Sequence, residues 1–151
     1  MWIYRICSRP YRTLDGEGAR IHGGRWSFPG TAVVYASESL SLAALELLTH
    51  VDADLMPRDL VWIGIEVPGK LEVEEVRLED LPAGWQRYPA PERLQEIGSA
   101  WANSSRSAIL SVPSAIIPQE RNYLLLPRHP DFRRLKVSRP RPFRLDPRLL
   151  G

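Results

Sequence analysis

At 151 residues, with 44% apolar and 25% charged residues and a net charge of +2, the chain has the size and composition of one globular domain with a sizeable core. Its longest apolar runs are only a few residues, which excludes a membrane-spanning helix, and MWIYRICSRP at the start lacks the regions of a secretory signal. A single cysteine, Cys7, excludes an internal disulfide and a multi-cysteine zinc site, so a cytoplasmic protein is expected.

Trp2 to Cys7 (WIYRIC) is predicted to form a strand, with Trp2, Tyr4 and Ile6 alternating against Ile3, Arg5 and Cys7. A polar, glycine-punctuated loop is predicted from Ser8 to Gly24. Within it Gly16-Glu17-Gly18 lacks a third glycine and is not expected to open a helix, so it is no dinucleotide fingerprint. Val33 to Ser37 (VVYAS) reads as a second strand, with Tyr35 and Ser37 on the face of Val33. Ser37 or Ser39 can then cap a helix.

From Ser39 to Thr49 the chain reads SLSLAALELLT, and Glu46 is its only charge. As a helix it puts Leu40, Ala43, Ala44, Leu47 and Val51 on one face, while Leu42, Leu45 and Leu48 fall elsewhere around it. Most of this helix is therefore expected to be covered by protein. A carboxylate there is costly unless something pairs with it or uses it, which singles out Glu46.

Leu60 to Val67 (LVWIGIEV) alternates most strongly, and Leu71 to Leu78 is expected to return as another strand after Pro68-Gly69-Lys70. Residues around Pro82, Gly84 and Pro89 read as loop. A helix is predicted from about Pro91 to Asn103, with Leu94, Ile97 and Trp101 at helical spacing. Ala108 to Val112, Ser114 to Ile117 and Asn122 to Leu126 are short apolar pieces, and Leu135 to Leu150 holds one or two further strands. Strands with two main helices and no repeating β-α alternation indicate a compact α+β domain. The tail from Arg121 onward carries nine basic and two acidic residues. That suits an anionic partner, or is simply a solvated surface in an arginine-rich chain.

Common site types are absent: there is no P-loop, no G-x-S-x-G elbow and no H-E-x-x-H. His22, His50 and His129 are too dispersed to indicate a metal site, although a helical Glu46–His50 pair is possible. The remaining constellation is Arg5, Gly23-Gly24-Arg25-Trp26, Tyr35, Glu46, Val112-Pro113-Ser114 and Asn122. Two glycines before an arginine let backbone approach a ligand closely while the guanidinium forks onto phosphate oxygens. Tyr35 offers a flat face for stacking, and Ser114 and Asn122 offer neutral polar contacts.

In order and spacing, WIYRI, GGRWS, VVYAS, ALELL and VPSAIIPQERNYLLLPRHP resemble the RES domain family, toxins of bacterial toxin–antitoxin pairs. The resemblance runs nearly end to end, so residues 1–151 are read as a single RES domain. It implies a compact ADP-ribosyltransferase-like domain of short, mostly antiparallel strands with a few helices. It also implies a toxin that cleaves the nicotinamide–ribose bond of NAD by hydrolysis or phosphorolysis, depleting NAD and arresting growth. NAD is then a substrate, with no true cofactor and no metal. By carry-over, Glu46, Tyr35 and Arg25 are the catalytic residues, and Arg5, Gly24, Arg25, Tyr35, Ser37, Ser114 and Asn122 bind NAD. Two positions depart from the family's pattern: Leu126 stands before Pro127 where an asparagine is frequent, and Ser27 follows the Gly-Arg-Trp motif.

The residue chemistry is compatible with that reaction. Nicotinamide leaves NAD as a neutral molecule and needs no general acid, so one carboxylate can suffice where ordinary glycoside hydrolysis uses two. Glu46 would stabilise the oxocarbenium-like transition state, Arg5 and Arg25 would anchor the pyrophosphate, and Ser114 would orient the ribose or carboxamide. The resemblance further implies a cognate Xre-like antitoxin and a homodimer, with DNA contacted only through the antitoxin. A protein ADP-ribosyltransferase is the alternative enzyme. An arginine-rich nucleic-acid-binding module and an inactive interaction partner are the alternatives of other classes.

Overall fold

A computed structural model describes residues 1–151. β1 (Trp2–Ser8) ends in a 3-10 turn, Arg9–Tyr11, and α1 (Glu17–His22) follows. β2 (Val34–Ser37) leads into α2 (Leu40–His50), then come β3 (Leu60–Glu66), β4 (Val73–Glu75) and α3 (Glu92–Ser104). The chain continues through β5 (Ile109–Pro113), β6 (Arg121–Leu125) and the short β7 (Lys136–Val137) and β8 (Arg141–Pro142). Strands run in the order β4-β5-β6-β2-β1-β3-β7, with β8 also on β3. Every pairing is antiparallel except that of β4 with β5. The architecture is the α+β class expected, and no helix is long and apolar enough to cross a membrane.

Strand alternation sorts the apolar side chains onto two faces. Ile3, Val34, Ala36, Val61, Ile63, Ile65, Ile109 and Leu125 line one, around which the sheet curls, with Leu71 and Leu135 closing it. Val33, Leu110, Val112, Leu124 and Leu126 line the other, under Leu94, Trp101 and Ala102 of α3 and beside Trp26 and Trp85. Each fully buried Leu or Ile contributes about 1.5–3 kcal/mol of hydrophobic stabilisation. Glu46 of α2 reaches Asn122, on the Leu124 side of β6, so α2 lies on the α3 side of the sheet. α2 packs over β1 and β2, α3 covers the Leu110–Leu124 region, and a gap stays open between them above β2.

Four local expectations are corrected. The loop from Ser8 to Gly24 contains α1, and its start is Gly16-Glu17-Gly18 after all: Asp15 Oδ1 accepts the Glu17 N–H at 3.1 Å and Arg20 pairs with Glu17 at 2.7 Å. The Leu71–Leu78 segment yields only β4, which does not return onto β3. β7 and β8 occupy that edge of β3, so β4 runs parallel to β5 at the far end of the sheet, where Glu74 meets Arg106 and Glu75 meets Arg121. Ser114 to Ile117 is a turn. Lastly, α2 is not covered around most of its circumference: only Leu42 and Ala43 are buried, and Leu45 is 38% exposed. Ser39 caps α2, its Oγ accepting the Leu42 N–H at 3.0 Å, whereas Ser37 turns toward Asn122.

Candidate active site

A cavity of about 350 Å³ occupies the gap between α2 and the Gly23–Ser27 turn, floored by β1 and β2. It exists because β1 and β2 pair at one position, Tyr4 opposite Ser37, and then part. Arg5 spans the opening, its guanidinium donating to the Tyr35 carbonyl at 3.1 Å in place of a ladder bond. Its Nε is the one buried side-chain nitrogen or oxygen in the chain without a hydrogen-bond partner. Leaving such a donor unmet costs about 1–3 kcal/mol, a penalty natural folds tend to confine to working sites.

Glu46 projects into this cavity from the partly exposed side of α2. One oxygen, Oε1, accepts from Asn122 Nδ2 at 2.6 Å and from Ser114 Oγ at 2.9 Å. Asn122 is itself oriented by Ser37, whose hydroxyl donates to Asn122 Oδ1 at 2.7 Å. Ser114 is wholly buried, and its Oγ accepts the N–H groups of Ile116 and Ile117 at 3.1 Å each. Its one proton therefore has one destination, Glu46. Oε2 makes no hydrogen bond within the protein. The carboxylate is thus anchored by neutral donors on one oxygen and available on the other. The Glu46–His50 side-chain pair that helical spacing allows does not form, because His50 Nδ1 turns back to the Glu46 carbonyl at 2.6 Å.

The opposite wall is the Gly-Gly-Arg-Trp-Ser turn, closed by Gly24 N–H donating to the Ser27 carbonyl at 2.9 Å. The Tyr35 hydroxyl lies beneath it, accepting the Trp26 N–H at 3.1 Å and sharing a 2.8 Å bond with Ser27 Oγ. A Cβ on Gly24 would fall 2.6 Å from that hydroxyl, so close approach requires glycine here. Burial pushes the Tyr35 phenol up to about 12, against the opposing pull of the bonds from Ser27 and Trp26. The hydroxyl is committed to the turn, while the ring lines the cavity. From the outside, α3 clamps the same turn. Gln95 Nε2 donates to the carbonyls of Gly24 and Ser27, both at 3.2 Å, and Ser99 Oγ accepts the Phe28 N–H at 3.0 Å.

Arg25 leaves the turn toward the loop before α3, donating to the carbonyls of Trp85 at 3.0 Å and Arg87 at 3.2 Å. Burial lowers the affinity of its guanidinium for the proton, opposed chiefly by Glu46 and then by Tyr35. It remains a cation, since an arginine starts far above neutrality. Asp15 and Glu17 also line the cavity, so Glu46 is not its sole carboxylate. It differs in being held by neutral donors, whereas Glu17 is paired to Arg20.

Of the residues singled out in the sequence, Arg5, Gly24, Arg25, Tyr35, Ser37, Glu46 and Asn122 line the cavity together. Ser114 does not line it; it sits behind Glu46. Sequence reasoning missed Gln95 and Ser99, whose helix gave no polar signal, and Asp15 and Glu17, which were assigned to a loop. Ser27, noted as a departure from the family's pattern, supplies the hydroxyl that meets Tyr35.

Comparison with known proteins places this geometry in context. A family model described as RES domain matches residues 3–146. "Prs ADP-ribosylating toxin" of Sphingobium sp. (strain YBL2) is 39% identical over 99% of this chain and 95% of its own length. "Toxin Res" of Yersinia enterocolitica is 38% identical over 99% of both. Among solved structures, a chain of the M. tuberculosis MbcT-MbcA toxin-antitoxin complex superposes with a TM-score of 0.77 over 99% of this chain and 86% of its own. At 20% identity that likeness speaks to the fold alone. The match over nearly every residue, with two relatives well above 30% identity, means that the chain belongs to the RES domain family of toxins.

Proposed function

We propose that this toxin breaks the nicotinamide–ribose bond of NAD in the cavity between α2 and the Gly-Gly-Arg-Trp-Ser turn. The observation that carries the reading is Glu46 itself: Oε1 is fixed by Ser114 and Asn122, and Oε2 is left to a ligand. As the C1′–N bond breaks, its electron pair passes to the pyridinium nitrogen and nicotinamide leaves neutral. Positive charge develops on the ribosyl ring, where a carboxylate already fixed in position stabilises it without the reorganisation that water would need. Arg5 and Arg25 supply guanidinium groups for the pyrophosphate, and the Tyr35 ring offers a stacking face. Ser114 and Asn122 act through Glu46 as positioning residues. The acceptor that meets C1′ is water or phosphate in the leading reading, and NAD is consumed as a substrate.

Transfer to a protein side chain is the second reading, favoured by the name of the Sphingobium relative as an ADP-ribosylating toxin. The two are separated by incubating the purified chain with labelled NAD, with and without phosphate and with cell extract. Free ADP-ribose or its 1″-phosphate supports the first, labelled protein supports the second, and unconsumed NAD rejects both. The proposal extends to a single domain acting in the cytoplasm as a homodimer, restrained by a cognate Xre-like antitoxin, in line with the toxin–antitoxin complex among its structural neighbours. Co-expression with the adjacent gene, followed by size exclusion, tests that part.

A further inference from the structure

We infer that the cleft framed by Arg9, Arg58 and Arg144 is a second anion site, separate from the Glu46 cavity and suited to the paired phosphates of an organic diphosphate. Its three arginines are far apart in the chain but are brought to one rim by backbone bonds. Arg9 N–H donates to the Asp59 carbonyl at 3.1 Å, and Phe143 N–H donates to the Leu60 carbonyl at 2.9 Å. These bonds prolong the β1–β3 and β3–β8 pairings, so the end of β1, the approach to β3 and the residues after β8 are held side by side. Between them lies a cleft of about 210 Å³, lined by the three arginines with Asp59, Leu60, Pro142 and Phe143.

The charge on this rim is only partly compensated. Arg20, Arg93, Arg106 and Arg148 each face a carboxylate within 4.0 Å, but the side chains of Arg9, Arg58 and Arg144 make no hydrogen bond or ion pair. Gathering three like charges is unfavourable, and a single carboxylate, Asp59, leaves the cleft with a positive excess. Guanidinium groups fork onto phosphate oxygens two bonds at a time, so three of them supply more donors than one phosphate needs and match two in tandem. Phe143 and Pro142 give the apolar contact that the organic group would use. None of the three arginines lines the Glu46 cavity. The 3-10 turn Arg9–Tyr11 divides the two, with Arg9 on the cleft and Tyr11 on the cavity.

Calorimetric titration of the full chain with inorganic pyrophosphate and with uridine diphosphate, repeated in the presence of NAD, tests this. The expected result is one equivalent of saturable binding of both, tighter for uridine diphosphate, in addition to any that the Glu46 cavity takes through Arg5 and Arg25. Each of R9Q, R58Q and R144Q should weaken it by about tenfold, the loss of one charge-assisted contact. The triple variant should lose it while keeping its melting temperature and NAD consumption. Equal pyrophosphate binding by the triple variant and the wild type overturns the proposal, because the anion then lies in the Glu46 cavity. Steeply salt-dependent binding of a single-stranded oligonucleotide without saturable diphosphate binding also overturns it, since that marks a nucleic-acid surface. Because binding is read directly, the outcome does not depend on whether NAD is the substrate of the other cavity.

Discussion

Glu46 and Arg25 line the same cavity, yet the two walls that carry them are built differently. The Glu46 wall is polar and tunable: a carboxylate on a half-exposed helix, oriented by Asn122 of β6 and Ser114 of the turn after β5, with Ser37 of β2 fixing Asn122 in turn. The Arg25 wall is hydrogen-bonded too, but it is also set by close steric contact. Gly24 rests on the Tyr35 hydroxyl, and Gly98 of α3 lies so close to Trp26 that a Cβ there would sit 1.7 Å from the Trp26 carbonyl oxygen. A wall made of hydrogen bonds can lose chemistry while the fold survives. A wall made of close contacts cannot be altered without moving the fold.

The largest expected effect is on the first wall. Glu46→Gln keeps the shape and most of the contacts but removes the charge, and should lower NAD turnover by about a hundredfold or more with little change in melting temperature. Turnover within a few fold of wild type, measured by nicotinamide release, would break the assignment. On the second wall, Gly98→Ala forces the Gly-Gly-Arg-Trp-Ser turn away from α3 and should cost about 1–3 kcal/mol of stability in urea unfolding, as overpacking does. Its activity should fall only as far as the turn is displaced.

Ser114→Ala tests whether the walls are as distinct as this. It strands the N–H groups of Ile116 and Ile117 and leaves Glu46 Oε1 held by Asn122 alone, so it should destabilise by about 1–3 kcal/mol and lower turnover as well. Because Ser114 does not touch the cavity, KM for NAD should move less than kcat. A rise in KM alone would return Ser114 to substrate contact.

The smallest effect is confined to alkaline pH. The Tyr35 phenol titrates near 12 in the fold against 10.0 ordinarily, so the folded chain holds this proton more tightly than the unfolded one. Its contribution is whole below pH ~10 and is lost as pH rises through ~12, on the order of 2 kcal/mol in all. Tyr35→Phe should flatten the fall of stability in that window, at a fixed loss from the missing bonds to Trp26 and Ser27. An unchanged alkaline slope would show that the hydroxyl is not buried under the turn.

The strands and the two long helices were legible because their periodicity is strong: Trp2–Ser8, Leu60–Glu66 and Glu92–Ser104 were found within a residue or two. β4 was misplaced because three residues that pair at a sheet edge carry no information about which edge. α1 was missed because glycine, not a polar side chain, stands at its cap with only Asp15 bonding the Glu17 N–H from one residue before, and six residues are too few for a helical period to emerge. The covering of α2 was overestimated because apolar content reports what a helix is able to bury, not what packs against it. The candidate site itself was legible as a set, and its members came through the resemblance. The division of labour within it was not: nothing in V-P-S or G-G-R-W-S tells that Ser114 faces Glu46 and not a ligand, or that the Tyr35 hydroxyl is spent on its own turn.

The order of the chain by itself determined the α+β class, the family and the residues worth examining, because periodicity and motif spacing are properties of neighbours in sequence. Only the tertiary structure decided which atoms of those residues remain available. Bonds from Ser114 to Glu46, from Gln95 to Gly24 and from Arg25 to Trp85 each span sixty residues or more. Such pairings are fixed by how the sheet curls and how α2 and α3 settle on it. Glu46 entered as a lone charge in an apolar helix; the fold is what leaves one of its two oxygens open to the cavity.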